Sequence, residues 1–186
     1  MLNQNKTKTM NDILTKKEVS QFLKCSIGMV DKLMSNNLPY YKIGRNVKFK
    51  REEMLDVVSD EIKNGKAIGW FQGKMEFGPR ALGSRSILAD PRDTSMQKKL
   101  NMKVKYRESF RPFAPSILKE DLSKWFNLNV ESPYMLLVAE INSDKKIEMT
   151  EEQKQLFGIE KLNIKRSEIP AVTHIDYSAR IQTVTQ

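Results

Sequence analysis

Glycine and proline interrupt the middle of this 186-residue chain, and arginine repeatedly stands beside them. The clearest run reads GPRALGSRSILADPR over residues 78–92. We expect turns here, with a helix opening at Pro79, where the N–H that proline lacks would be unpaired in any case. The free N–H groups of a helix start attract anions, and Arg80 and Arg85 would add bidentate contacts. The segment therefore predicts an anion-binding turn.

Four arginines on such turns suggest that they converge on one anionic group. They are Arg80, Arg92, Arg107 and Arg111, and a guanidinium group matches phosphate or carboxylate with a planar fork of donors. A phosphate-ligand site is one interpretation. The other is a structural ion network with the nearby acids, which are Glu76, Asp90, Asp93 and Glu108. The residue types alone leave both interpretations open.

The positive charge divides along the chain. The formal net charge is +9, to which residues 1–58 contribute +5 and residues 63–125 contribute +8, while residues 59–62 and 126–186 contribute −2 each. Lysines with helical apolar spacing dominate the first basic segment, whereas arginines beside glycine and proline mark the second. Because excess positive charge attracts anionic partners, this contrast predicts two domains with two different anionic partners.

The first basic segment has the spacing of short helices followed by a hairpin. Thr15 and Glu18 have capping-box spacing, and Ser26 can cap a second helix. The hydrophobic period then changes from helical to alternating, which is typical of a β-hairpin. The predicted elements are a helix from residue 16, a helix over residues 27–36, a hairpin around residues 44–46 and a helix over residues 51–58.

Residues 14–58, from LTKKEVSQFLKCSIGMVDKLM through the hairpin to MLDVV, resemble the excisionase-type, MerR-related winged-helix DNA-binding domains. In that family the second helix enters the major groove and the wing contacts the backbone or minor groove. The resemblance implies base-facing roles for Ser26, Gly28 and Lys32. It implies contacts with the phosphates of double-stranded DNA for Lys42, Arg45, Lys48 and Lys50. The alternative is a small solvated domain, or the relic of an interaction module, whose lysines form only a surface.

Beyond the first segment, short elements alternate with turns. The expected elements are strands over residues 66–72, 134–141 and 171–185, a helix over residues 95–105 and a solvated excursion over residues 142–168. Trp125-Phe126 should close a helix against the core. His174 and Asp176 fall on the last predicted strand, and for His174 a structural hydrogen-bonding role is favoured over a substrate contact.

Several ordered motifs between residues 64 and 182 carry a second resemblance. GWFQGKMEFGPRALGSRSILADPR is followed by LNMKVKYRESFRPFAPSIL, SPYMLLV and PAVTHIDYSARIQTV. Together they resemble the C-terminal domain of the nodulation-type and antibiotic-tailoring O-carbamoyltransferases. The resemblance implies an α/β fold like that of threonylcarbamoyl-AMP synthase, and the formation of carbamoyl-adenylate from ATP and carbamoyl phosphate. In that family a separate N-terminal domain, related to the tRNA threonylcarbamoyl-transfer enzymes, holds a metal and passes the carbamoyl group to an acceptor hydroxyl.

The resemblance implies two anionic ligands for the arginines, ATP and carbamoyl phosphate. Fixed cations can stabilise the charge on the α-phosphate as pyrophosphate departs, without any residue that transfers a proton. Catalytic roles are implied for Arg80, Arg107 and Arg111, and Mg²⁺ is expected to bridge the phosphates, with Asp90 as a candidate ligand. The residues implied to bind ATP and carbamoyl phosphate are Lys74, Arg80, Arg85, Ser86, Asn101, Lys103, Arg107 and Arg111. The chain departs from the family's usual pattern at three positions, which are Lys74 for arginine, Ser84 for asparagine and Tyr177 for glycine.

These observations predict an α/β (α+β) protein of two parts. The expected divisions are a disordered N-terminus over residues 1–10, a winged helix-turn-helix over 11–58, a linker over 59–64 and a truncated carbamoyltransferase C-terminal domain, with an incomplete twisted sheet, over 65–186. Complete carbamoyl transfer is expected to need a second polypeptide that supplies the acceptor and metal domain. The alternative is an excisionase-like DNA-binding regulator whose C-terminal part is vestigial or senses a ligand.

The cysteine and histidine content excludes several kinds of site. With Cys25 and His174 as the only residues of their types, the chain has no internal disulfide and no multi-cysteine or histidine-rich metal centre, and we predict no metal-ligating residue. No apolar run approaches the ~20 residues of a membrane helix, and no secretory signal is visible. A cytoplasmic protein without a membrane partner is therefore expected.

Overall fold

The computed structural model of the chain describes residues 12–23 and 25–185, which form a mixed α+β fold with three small sheets. The predicted disordered segment, residues 1–10, lies outside the described residues. Within the described part, no helix combines the length and the apolar character needed to cross a bilayer.

Side-chain caps determine where the first two helices begin. The Thr15 hydroxyl accepts a hydrogen bond from the Glu18 N–H at 3.2 Å, and the Glu18 carboxylate accepts one from the Thr15 N–H at 2.7 Å. Ser26 Oγ accepts one from the Met29 N–H at 3.1 Å. Both predicted caps are confirmed. The first elements are β1 (Ile13–Thr15), α1 (Lys16–Phe22), α2 (Ile27–Ser35), β2 (Tyr41–Ile43), β3 (Asn46–Lys50) and α3 (Arg51–Lys63).

An antiparallel sheet in the order β1-β3-β2 joins these helices around a small core. The hairpin between β2 and β3 lies where it was predicted, and Gly44 adopts the positive φ of +60° that this turn requires. Strand β1 was not predicted, because three residues carry too short a pattern. The buried core residues are Leu14, Val19, Val30, Leu38, Phe49 and Met54.

Helix α3 connects the two halves of the chain without an extended linker. It continues to Lys63, so that the predicted linker over residues 59–64 forms its last turns and its C-cap. Gly65 follows with a φ of +76°, which is not helical, so the chain leaves the helix at this residue. Phe22 of α1 packs edge to face against Trp70 of the second half, with ring centroids 5.8 Å apart. Helix α1 therefore packs directly against the second half.

The second half contains a two-stranded and a three-stranded sheet. Strands β4 and β5 are antiparallel, and β8 lies between a parallel β6 and an antiparallel β7. Phe126 follows α5 and is 2% exposed, which confirms that Trp125-Phe126 closes this helix against the core. The elements are β4 (Ile68–Phe71), β5 (Arg85–Leu88), α4 (Met96–Lys103), β6 (Ser116–Leu118), α5 (Leu122–Trp125), β7 (Leu137–Glu140), α6 (Glu151–Gln155), α7 (Ile159–Leu162) and β8 (Ser178–Val184), with short 3-10 turns at Lys119–Asp121, Ser143–Lys145 and Pro170–Val172.

Three expectations for this half were wrong in detail. No helix opens at Pro79; residues 79–82 form an irregular loop between Gly78 and Gly83, whose φ values are +114° and +127°, and the Glu76 carboxylate accepts hydrogen bonds from the N–H groups of Leu82 and Ser84. The last strand begins at Ser178 rather than residue 171, so His174 and Asp176 lie in the turn before it. The stretch over residues 142–168 is not wholly solvated, since it ends in the buried Arg166.

Candidate functional site

The loop between β4 and β5 is organised around one carboxylate. Glu76 Oε1 accepts hydrogen bonds from the N–H groups of Leu82, at 2.9 Å, and Ser84, at 2.6 Å. The Ser84 hydrogen bond is the main reason that the pKa of Glu76 lies below its usual value. Arg85 lies 3.7 Å from the other Glu76 oxygen and also donates to the Gly78 carbonyl. Glu76 and Arg85 therefore hold the loop that carries Arg80.

Asn101 supports a second arginine from inside the protein. Its side chain is 0% exposed, and its Oδ1 accepts a hydrogen bond from Arg107 Nε at 2.6 Å. Its Nδ2 donates to the carbonyls of Ser109, at 3.0 Å, and Arg111, at 2.8 Å. The Arg107 guanidinium also lies 5.1 Å from the centre of the Phe113 ring. Asn101 thus positions Arg107 and has no surface that a ligand can reach.

Strand β8 provides the third wall of the site. Arg180 and Gln182 are two residues apart on this strand and so project from the same face. Gln182 Nε2 donates to the Leu82 carbonyl at 2.7 Å, which ties β8 to the loop between β4 and β5. This single hydrogen bond joins residues that are 100 positions apart in the sequence.

These three elements enclose a cavity of about 260 Å³, which we call the arginine cavity. Four basic residues line it, and no acidic side chain is among its lining residues in the described part of the chain. The Nε atoms of Arg80 and Arg180 are buried without a hydrogen-bond partner there. A set of uncompensated cations around a concave surface favours a multiply charged anion. The lining residues are Pro79, Arg80, Ala81, Ser86, Ile87, Leu88, Lys105, Arg107, Pro112, Phe113, Ala114, Ser116, Met135, Arg180 and Gln182.

The cavity contains some of the predicted ligand residues and not others. Arg80, Ser86 and Arg107 line it together. The other predicted ligand residues are not among its lining residues; they are Lys74, Arg85, Asn101, Lys103 and Arg111. The structure adds Lys105 and Arg180, which the ligand prediction missed. Lys105 and Arg107 follow the end of α4 in irregular backbone in which Tyr106 has a φ of +49°, so no periodic pattern in the sequence indicated that both line the cavity.

The alternative interpretation of the arginines, an ion network, also describes part of the structure. Arg92 binds both oxygens of Asp90, with its Nη2 2.6 Å from Oδ2, and this hydrogen bonding is the main cause that lowers the pKa of Asp90. Arg111 Nε lies 2.8 Å from a Glu108 oxygen. The four arginines therefore divide into two pairs: Arg80 and Arg107 line the cavity, whereas Arg92 and Arg111 form ion pairs.

The described residues provide no protein site for a divalent cation. No group of three or more histidine, cysteine or acidic side chains comes together between residues 12 and 23 or 25 and 185. Asp90, the sequence-based candidate for Mg²⁺, is occupied by Arg92 and does not line the arginine cavity. Any Mg²⁺ in this cavity would need its ligands from the bound phosphates and water.

His174 lies beside the site in a hydrogen-bonded chain. Ser178 Oγ donates to Asp176 Oδ1 at 2.7 Å and lies 3.0 Å from His174 Nδ1. Since the Ser178 hydroxyl proton is directed to the Asp176 carboxylate, His174 Nδ1 is the donor to Ser178 Oγ. Burial is the largest cause that lowers the pKa of His174, and Asp176 opposes it. The favoured structural role is consistent with this chain of hydrogen bonds.

The predicted DNA-contacting residues lie on two exposed elements. Ser26 is the N-cap of α2, and Gly28 and Lys32 are exposed on that helix. Lys42, Arg45 and Lys48 lie on the β2–β3 hairpin. Lys50 differs from the others because it pairs with Glu53 at 3.3 Å and lies 4.8 Å from the centre of the Tyr41 ring.

Comparison with known proteins gives a family match and several relatives. The carbamoyltransferase C-terminus family matches residues 59–186. An uncharacterized Synechocystis protein is 57% identical over 136 residues, covering 73% of this chain and 22% of the relative. Nodulation protein NolO of Bradyrhizobium diazoefficiens is 39% identical over 140 residues, covering 74% and 22%. The 3'-hydroxymethylcephem-O-carbamoyltransferase of Streptomyces clavuligerus is 38% identical over 128 residues, covering 69% and 20%. The chain spans about a fifth of the length of these curated relatives.

Proposed function

Because the chain belongs to the carbamoyltransferase C-terminus family, we propose that its arginine cavity binds ATP and carbamoyl phosphate and promotes the formation of carbamoyl-adenylate. The observation that carries the proposal is the cavity lining, which has four basic residues and no acidic one among the described residues. Both substrates are multiply anionic, so each would gain from the same set of cations. A relative named as an O-carbamoyltransferase supports the carbamoyl group as the transferred group.

The cavity residues would act by binding and by charge stabilisation. Arg80, Arg107 and Arg180 would hold phosphate oxygens, and Lys105 would add a fourth positive charge. Water would first cleave carbamoyl phosphate into carbamate and inorganic phosphate. A carbamate oxygen would then form a bond to the α-phosphorus of ATP as the bond from that phosphorus to pyrophosphate breaks. Fixed cations stabilise the negative charge that grows on the phosphates without reorganisation. The hydroxyls of Ser86 and Ser116 would supply neutral hydrogen bonds. No step requires a proton-transferring residue in this cavity, and none is assigned to Mg²⁺.

The proposed reaction is only the first half of carbamoyl transfer. We propose that a separate acceptor and metal domain, which the family resemblance implies, would complete it. By this proposal the chain alone forms or binds the adenylate and does not carbamoylate an acceptor. Acceptor carbamoylation catalysed by the isolated chain would contradict this assignment of the two reaction steps.

Nucleotide binding by the purified chain tests the proposal. We expect ATP to bind by titration calorimetry, and Arg107→Ala to weaken binding by at least ~10-fold through loss of a charge-assisted contact. Lys98→Ala is the matched control, because Lys98 is exposed on α4 and does not line the cavity. Carbamoyl-phosphate-dependent exchange of pyrophosphate into ATP then tests the chemistry. Absence of ATP binding in the unaltered chain, or equal losses in Arg107→Ala and Lys98→Ala, would overturn the proposal.

A second candidate function concerns the first half, which we propose is a DNA-binding winged helix-turn-helix over residues 11–58. The observation that favours it is the succession of two short capped helices and an exposed basic hairpin. Lys16, Lys17, Arg45 and Lys48 also line one groove of about 360 Å³ between the hairpin and α1. A salt-dependent shift of duplex DNA tests this proposal. No shift at low salt would remove it.

A further inference from the structure

A second cavity, of about 370 Å³, shares one lining residue with the arginine cavity among the described residues, namely Pro112. Its wall is mainly apolar, with Phe110, Leu162, Val172 and Ile175. Arg166, His174 and Asp176 are its titratable lining residues within the described part of the chain. We call it the Arg166 cavity.

Arg166 is a buried cation without a negatively charged partner. Its side chain is 2% exposed, and no carboxylate of the described residues lies within ion-pair distance of it. Nη1 donates to the carbonyls of Lys161, at 2.9 Å, and Leu162, at 3.3 Å, and Nη2 donates to Thr173 O at 3.3 Å. Nε has no partner. Carbonyl dipoles satisfy part of the guanidinium, but a buried charge stays costly until an opposite charge approaches it.

The segment that holds Arg166 is rigid, so the charge cannot turn outward to solvent easily. Ser167 Oγ and Thr173 Oγ1 are 2.7 Å apart, and the Ile169 N–H donates to Ser167 Oγ at 3.1 Å. Thr173 Oγ1 also donates to the Ile169 carbonyl at 2.9 Å. These contacts close residues 166–173 into a loop that is held at both ends.

The other titratable groups of the cavity do not neutralise Arg166. Asp176 Oδ1 accepts two hydrogen bonds from Ser178, one from its N–H at 3.1 Å and one from its hydroxyl at 2.7 Å. His174 is hydrogen-bonded to Ser178 and carries no negative charge. Among the described residues Arg166 therefore has no ion-pair partner, and the apolar wall of the cavity is available to the body of a ligand.

From this arrangement we propose that the Arg166 cavity is a second ligand site, which takes a small organic anion with an apolar body. The anion would lie towards Arg166, and the body would pack against Phe110, Val172 and Ile175. A cavity of this volume is in the usual range for small-molecule sites. The proposal is independent of the nucleotide chemistry assigned to the arginine cavity.

Benzoate and benzyl alcohol form a matched pair of probes, since they share the apolar ring and differ in charge. Their dissociation constants for the full chain would be measured by ligand-observed NMR titration. We expect benzoate to bind at least ~10-fold more tightly than benzyl alcohol, because a charge-assisted contact is stronger than a neutral one. Arg166→Met should remove this difference, and Arg80→Ala should leave it unchanged.

A rim substitution keeps the test decisive if Arg166→Met does not fold. Ile175 is 41% exposed, so its replacement should not affect folding strongly. Ile175→Glu should weaken benzoate binding at least ~5-fold relative to Ile175→Gln, because only glutamate adds a repulsive charge. Equal binding of the two probes, equal effects of the two Ile175 variants, or loss of benzoate binding in Arg80→Ala would each overturn the proposal. Loss of ATP binding alone would bear on the arginine cavity and not on this site.

Discussion

Asn101→Leu replaces the buried amide that supports Arg107 with a side chain of similar size that forms no hydrogen bond. Three hydrogen bonds are lost, one from Arg107 Nε and two to the carbonyls of Ser109 and Arg111. At about 1 kcal/mol of net stability each, the free energy of unfolding should fall by about 3 kcal/mol. Urea denaturation followed by circular dichroism measures this change.

The effect on the ligand distinguishes a supporting role from a direct contact. If Asn101 acts only through Arg107, Asn101→Leu should weaken ATP binding in the unaltered chain and add no further loss in an Arg107→Ala background. If Asn101 contacts the ligand itself, as the sequence resemblance implied, the two losses should add. Additive losses of affinity, or a fall in unfolding free energy below ~0.5 kcal/mol, would refute the positioning role.

Three further predictions concern other parts of the molecule. The pKa of Glu76 is lowered in the folded chain, chiefly by the Ser84 hydrogen bond. The ionised carboxylate therefore stabilises the fold at pH values above the unfolded-state pKa, and this stabilisation is lost as the pH falls through the folded-state pKa. The free energy of unfolding, measured by urea denaturation over this acid range, should therefore fall less in Glu76→Gln than in the unaltered chain. Tyr177 has a φ of +62°, so Tyr177→Gly should be more stable than Tyr177→Ala by about 1 kcal/mol in thermal melts. If the hairpin binds DNA, Lys48→Ala should reduce the salt slope of binding by ~1, whereas Lys50→Ala, which removes a lysine already paired with an acid, should reduce it less.

The local signals of the sequence predicted local structure well. Each helix cap depends on residues no more than three positions apart, and both predicted caps, Thr15 with Glu18 and Ser26 before α2, are present. The conformation of the loop between β4 and β5 could not be predicted from such local signals, because it includes two glycines with positive φ. Gly78-Pro79 has the composition of a helix start, whereas the structure has a loop in which Gly78 and Gly83 have positive φ and Glu76 binds two backbone N–H groups.

For the candidate site, the sequence predicted which types of residue are present better than it predicted the role of each residue. Arg80 and Arg107 line the arginine cavity, whereas Arg111 pairs with Glu108. The sequence offered both interpretations, phosphate ligand and ion pair, but did not show which arginine takes which role. Asn101 was selected as a polar ligand residue, but its burial depends on how α4 packs. Arg180 reaches the cavity only because β8 lies next to the loop between β4 and β5, which is a long-range relation.

The position of β8 also determines when the arginine cavity can assemble during folding. Strands β6 and β7 precede β8 in the chain, yet β8 lies between them. Neither outer strand has a partner in this sheet until the later strand arrives, and pairing across such sequence distances is slow because loop closure must come first. Gln182 then anchors the loop that carries Arg80. We therefore expect the cavity to form late in folding, and a folding intermediate without β8 would expose two unpaired strands, a surface that favours aggregation.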